Sequence, residues 1–227
     1  MKRSSLSGNQ TQQRIRLSFS RGDEVKYISH LDLMRLWHRA LRRAGMPLAY
    51  SQGYNPQPRI AIAAPLAVGV TSEAELVDIF MERKVSSSFF ERMVGEQLPD
   101  GVSILNVRDV WPRLPSLQSR LRFAEYRVVI ESQTARENLE QAIGELKSKT
   151  SLPWRHSRGE KVHEYDLREL IDDIWVVDER EGALVLGMRL RNDSRGSGRP
   201  DQVLLALGCS SPARSIHRTK LITETGT

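Results

Sequence analysis

The chain opens on polar residues without periodicity, and residues 1–13 read as a tail. A strand pattern follows in RIRLSFS, residues 14–20. Ile15, Leu17 and Phe19 alternate there with Arg14, Arg16 and Ser18, which predicts a half-buried strand. Residues 30–44 switch to helical spacing, with Leu33, Leu36, Trp37, Ala40, Leu41 and Ala44 on one stripe. Ser29 is placed to cap this helix and Asp32 suits the dipole of its first turn, while Gly45 and Pro47 stop it. The turn-rich SQGYNPQPR, residues 51–59, predicts a loop. A small-residue strand running into a loop over 60–70, a strand over 76–83, a helix over 86–98 and a strand over 102–111 complete a βαββαβ order. With antiparallel neighbours and two crossover helices, that order predicts a ferredoxin-like domain over 14–111.

Residues 112–120, PRLPSLQSR, read as a linker, after which the pattern restarts. A strand over 123–131 precedes a helix from a cap at Thr134 to about residue 149, with Leu139, Ile143 and Leu146 on one face. Strands over 174–178 and 183–190 are joined by EREG, a hairpin-like turn. A short helix over 201–207 enters through Pro200, and 215–223 is the last strand. The fold expected is therefore α+β: tandem ferredoxin-like domains with antiparallel sheets. The second domain spans 121–227 and carries an insertion at 152–172.

Composition narrows the function. Of 227 residues, 39% are hydrophobic and 27% charged, which is globular usage. No apolar run is long enough for a membrane span and no signal-type h-region follows the basic N-terminus, so a cytoplasmic location is expected. A single cysteine, Cys209, excludes an internal disulfide framework and a cysteine-held cluster, and no low-pKa context surrounds it. The formal charge is +6, unevenly spread: residues 1–60 hold 11 basic and 3 acidic side chains, and the remainder of the chain balances at −2. Such a basic segment attracts phosphate-bearing partners, although a solvated face gives the same count.

The predicted helix concentrates that charge. Arg35, Arg39 and Arg42 follow i, i+4, i+7 spacing and share one face, with His38 beside them and Arg43 at the helix end. Three guanidiniums in a row suit consecutive phosphates, and they equally suit an exposed helix kept soluble. The next loop offers Tyr50, Gln52, Tyr54, Asn55 and Gln57, with Arg59 beyond: rings for stacking on unpaired bases and amides for base edges. His30, with Tyr27, Ser29 and Arg35 near it in sequence, and His38 are candidates for acid–base cleavage of RNA, though a histidine at a helix start is more often structural. His156, His163, Glu160, Glu164 and Asp166 lie in the insertion without an HExxH or HxH spacing, so no metal is expected. Arg158 and Lys161 in the same stretch fit either a salt-bridged hairpin or an extension of the basic surface. No P-loop or GxGxxG is present, and no cofactor is expected.

The segments YISHLDLMR (27–35), RALRRAGMPLAYSQGYNPQPRI (39–60) and PLAVGVTSEAE (65–75) strongly resemble the radical-SAM-associated family of unknown function. Members occur alone or fused to the C-terminal side of a cobalamin-binding radical S-adenosylmethionine protein. The resemblance covers most of the chain from residue 14 and is weaker over VHEYDLRELI (162–171) and GSGRPDQVLLALG (196–208). It implies a radical S-adenosylmethionine protein as partner. The chain itself lacks the CxxxCxxC signature of such enzymes. Three readings stand: a module presenting RNA, such as a transfer or ribosomal RNA, to that enzyme through Arg35, Arg39, Arg42, Arg43, Tyr54, Asn55 and Arg59; a module docking on the enzyme without RNA; and a metal-independent endoribonuclease resembling CRISPR repeat-processing enzymes, using His30 or His38.

Overall fold

The structure is a computed structural model that describes residues 11–131, 136–158, 161–180 and 182–224. It is mixed α+β with mostly antiparallel strands, and it divides into two compact units. The first runs through Gly69 and over Ala74–Leu117. The second takes Val70–Glu73 and the chain from Gln118 onward.

In the first unit the elements are β1 (Gln13–Arg21), α1 (His30–Arg43), β2 (Ile60–Ile62), β3 (Thr71–Met81, whose first three residues belong to the second unit), α2 (Ser87–Gly95) and β4 (Val102–Val110). Sheet neighbours follow the order β2-β3-β1-β4; β4 runs antiparallel to β1 and β2 antiparallel to β3. The core gathers Ile15, Leu17 and Phe19 of β1, Leu33, Trp37 and Leu41 of α1, Val77 and Ile79 of β3 and Phe90 of α2. Phe19 and Trp37 meet edge to face, centroids 5.0 Å apart.

Several expectations change here. β1 is buried on both faces: Arg14 and Arg16 are as hidden as the neighbouring Ile15 and Leu17, because both guanidiniums close on the buried Asp78 of β3. Arg14 also donates from Nη2 to the Pro115 carbonyl at 3.1 Å, and its Nη1 meets the carbonyl of Leu114. The tail ends earlier than expected, since Gln13 is already a buried β1 residue and Gln12 N–H donates to the Met81 carbonyl at 2.9 Å. The strand that runs into a loop over 60–70 is Ile60–Ile62, and Pro65 and the positive-φ Gly69 lie in the loop. β3 is longer than expected, and α2 starts behind a Ser86 cap whose Oγ accepts from Phe89 N–H at 3.2 Å.

A short helical turn, α3 (Leu117–Arg120), occupies part of the expected linker and buries Leu117. The second unit continues with β5 (Leu121–Glu131), α4 (Arg136–Ser148), β6 (Pro153–Arg158), β7 (Lys161–Asp166), β8 (Ile171–Arg180), β9 (Ala183–Asp193), β10 (Gly196–Ser197), α5 (Pro200–Ala206) and β11 (Ser215–Thr223). Its main strands follow the order β8-β9-β5-β11, all antiparallel, with β10 also on β9. Thr71 and Ser72 pair in parallel with His217 and Arg218 of β11. Leu139, Ile143 and Leu146 form the buried face of α4; the expected cap Thr134 lies outside the described residues. Pro200 opens α5, where its missing N–H costs nothing. Within the expected insertion, 152–172, β6 and β7 form a two-stranded sheet of their own.

Candidate nucleic-acid interface

α1 is fixed at both ends by its own sequence. Ser29 Oγ accepts from Asp32 N–H at 3.1 Å and sits 2.7 Å from the Asp32 carboxylate. At the other end Gly45, at φ +68°, donates to the Arg42 carbonyl and Met46 to the Leu41 carbonyl, each at 3.1 Å, satisfying two of the last carbonyls. Leu33, Trp37, Ala40 and Leu41 are buried, which turns Arg35, Arg39, Arg42 and Arg43 to solvent.

These four arginines are not equivalent. Arg35 donates from Nη1 to Asp32 Oδ1 at 3.0 Å, an i, i+3 pair between exposed side chains. Asp32 is held below the usual carboxylate range by the Ser29 hydroxyl and by Arg35. Arg39, Arg42 and Arg43 have no carboxylate partner among the described residues. In the second unit, by contrast, Arg122, Arg136, Arg155, Arg189, Arg191, Arg199 and Arg214 all meet Asp or Glu.

The loop after α1 is closed at its stem and open at its tip. Ser51 N–H donates to the Gln57 carbonyl at 2.8 Å, Gln57 N–H to Ser51 Oγ at 3.0 Å, and Arg59 N–H to the Ala49 carbonyl at 2.8 Å. Gly53, at φ +130°, turns the tip, where Tyr54 is fully exposed. Asn55 Oδ1 accepts from Gln57 Nε2 at 3.3 Å, and both are exposed. Arg59 faces elsewhere: its guanidinium lies over the Phe80 ring at 4.5 Å and its Nη1 donates to Thr11 Oγ1 at 2.7 Å. The contacts of Arg59 thus tie it to β3 and the start of the described chain, not to α1.

The histidines form no catalytic pair. His30 and His38 are eight residues apart on one helix, about 12 Å along its axis. His30 Nδ1 and His38 Nε2 are buried without a hydrogen-bond partner, as is Trp37 Nε1. Burial pushes the His38 imidazole below its ordinary pKa, favouring the neutral ring. Burial likewise pushes the Cys209 thiol up, away from nucleophilic use.

The hairpin brings together residues that spacing separated. His156 stands directly opposite His163, and Arg155 opposite Glu164, with Arg155 Nη2 2.5 Å from the carboxylate. Among the described residues no group of three or more His, Cys, Asp or Glu converges as a metal site. The side chains of Arg158 and Lys161 lie outside the described residues. Sequence reasoning passed over a further feature: an open cleft in the first unit lined by Thr11, Gln12, Lys84, Asp109, Trp111 and Arg113. Its one visible signal was an aromatic followed closely by a cation in WPR, residues 111–113. No helix among the described residues is long and apolar enough to cross a membrane.

Among solved structures the chain is similar to a chain of a Cbf5-Nop10-Gar1 complex, at 10% identity and a TM-score of 0.49, over 93% of this chain and 49% of that one. It is also similar to a chain of the archaeal box H/ACA sRNP Nop10-Cbf5 complex (8%, 0.45, 92% and 48%). A third likeness is to a chain of an H/ACA RNP bound to a substrate RNA containing 2'-deoxyuridine (11%, 0.44, 92% and 47%). The chain spans about half the length of these solved chains. No curated protein matches it. Residues 14–200 match the family described as "Uncharacterized protein conserved in bacteria (DUF2344)", and the chain belongs to that family.

Proposed function

We propose that this chain is a non-catalytic accessory protein of the cytoplasm that holds an RNA, of the transfer or ribosomal class, for a radical S-adenosylmethionine enzyme. The observation that carries the RNA part is the charge state of α1. Arg39, Arg42 and Arg43 are exposed on a rigidly capped helix with no carboxylate partner among the described residues, whereas most arginines of the second unit are neutralised locally. Cations left unpaired on a folded helix are available to phosphates. Tyr54 and Asn55, on a closed loop of the same unit, supply a ring for stacking and an amide for a base edge.

The enzyme partner rests on the resemblance of residues 27–75 to the radical-SAM-associated family. A specific observation also supports docking through that region. Tyr27, Leu31 and Val68 are large apolar side chains left exposed, and Gly69 N–H donates to the Lys26 carbonyl at 2.8 Å, joining the two segments that carry them. The scaffold of this reading is a pair of ferredoxin-like domains, 14–111 and 121–227, and its support is that β2-β3-β1-β4 and β8-β9-β5-β11 repeat one strand order.

The test is the nucleic-acid content of protein purified at low salt, for wild type and Arg39→Ala/Arg42→Ala/Arg43→Ala. Alanine keeps the helix, so folding is spared. RNA in the wild type and little in the variant supports the reading. Equal content in both, or none in either, removes α1 as an RNA contact.

A further inference from the structure

Trp111 follows the last residue of β4 and leaves 68% of its surface in solvent, and its backbone stands in a turn. Its carbonyl accepts from Leu114 N–H at 3.0 Å, closing the turn, and Pro112 restricts the backbone beside it. Beneath the cleft, the buried Gln13 acts as a bolt. Its Nε2 donates to Asp109 Oδ2 at 3.0 Å and to the Val85 carbonyl at 2.9 Å, and its Oε1 accepts from Val85 N–H at 2.9 Å. One side chain thereby locks β1, β4 and the turn that carries Lys84. At the far side, Thr11 receives the Arg59 guanidinium, which Phe80 supports from below.

The charge in this place is net positive, two cations against one carboxylate. Lys84 and Arg113 line the cleft with no carboxylate partner among the described residues, and Arg59 joins them through Thr11. The one carboxylate, Asp109, is engaged by Gln13. An exposed indole flanked by unpaired cations is an arrangement that can take a flat ring with a neighbouring anion.

We propose that the Trp111 cleft is a second nucleic-acid contact, in which one unpaired nucleobase stacks on Trp111 while Lys84 and Arg113 hold the adjoining phosphates. This rests on the RNA reading above and extends it from α1 to the end of β4. It adds what a helix of arginines lacks, a preference for unpaired over duplex strands, because a base inside a duplex has no free face.

The experiment is equilibrium binding of a fluorescein-labelled twelve-nucleotide oligouridine to the full chain, as wild type, Trp111→Ala, Trp111→Phe, Lys84→Ala/Arg113→Ala and Arg39→Ala/Arg42→Ala/Arg43→Ala. Folding of each variant is checked by circular dichroism. Trp111→Ala is expected to weaken binding roughly 5- to 150-fold, the range for loss of one stacked base, and Trp111→Phe much less. Lys84→Ala/Arg113→Ala should make the log–log salt slope shallower by about 1.4, at about 0.7 per single-strand phosphate contact, and Trp111→Ala should leave it unchanged. Trp111→Ala binding like wild type while the α1 variant is weakened would overturn the cleft and leave the RNA reading standing. No binding by wild type would overturn both. An oligoglutamate peptide binding with the same Trp111 dependence would reassign the cleft to an acidic protein segment.

Discussion

Arg16 holds Asp78 through two parallel hydrogen bonds, Nε to Oδ1 at 2.8 Å and Nη2 to Oδ2 at 3.0 Å, with both side chains buried. Arg14 reaches the same carboxylate from two residues away, with Nε 2.9 Å from Oδ2. One buried anion thus serves two buried cations across β1 and β3, and the geometry is bidentate, the form in which desolvation is best offset. The cluster also bears on the candidate interface. Arg14 and Arg59 both lie over Phe80, at 5.2 and 4.5 Å, so the ring that orients Arg59 is held against the ionic core.

Asp78→Ala leaves both guanidiniums without their anion and is expected to cost about 3–5 kcal/mol. At about 2–4 °C per kcal/mol for a chain of this size, the melting temperature should fall by about 6–20 °C. Arg16→Met should cost less, since Arg14 still partners Asp78. Calorimetry of the two variants checks this, and a smaller loss for Asp78→Ala than for Arg16→Met would contradict it.

Trp175 of β8 pairs across from Gly187 of β9, and its indole lies over the glycine. A Cβ at Gly187 would stand 2.1 Å from Trp175 Cε2. Gly187→Ala must therefore swing the indole off the strand, at an expected cost of about 1–3 kcal/mol. Urea unfolding measures the loss, and the shift of indole fluorescence reports the displacement. An unchanged midpoint and spectrum would show that the ring yields freely.

His38 prefers the neutral form in the folded chain, because burial lowers its pKa. The unfolded chain, with the ordinary value near 6.5, then binds more protons, so stability rises with pH in this window. The contribution is present above about pH 6.5 and is lost as the pH falls through the folded value. His38→Gln should flatten the dependence of unfolding free energy on pH between 7 and 5, as read from urea titrations at both. An identical pH dependence in wild type and variant would assign the effect to other groups.

The local parts of the fold were legible because their causes are local. The Ser29 cap, the Leu33–Trp37–Leu41 stripe and the Gly45 stop all lie within 17 consecutive residues, and the structure keeps α1 within one residue of its expected end. What could not be read depended on partners distant in sequence. Arg14 and Arg16 looked solvent-facing because nothing in RIRLSFS points to Asp78, more than sixty residues on. His156 and His163 looked unrelated at a spacing of seven, until antiparallel register set them opposite each other. Arg35 and Arg42 looked equivalent on a helical stripe, and the difference is an Asp32 contact that only a side-chain conformation decides. Trp111 and Lys84 come together through strand order, which no local pattern carries.

The salt dependence of single-stranded RNA binding by wild type and Arg39→Ala/Arg42→Ala/Arg43→Ala tests the role of α1 most directly. If these three cations each meet a phosphate, the slope of log affinity against log salt in the variant should be shallower by about two, at about 0.7 per contact. Identical slopes in the two proteins, or a wild-type slope near zero, would contradict the assignment of α1 as the phosphate-binding face.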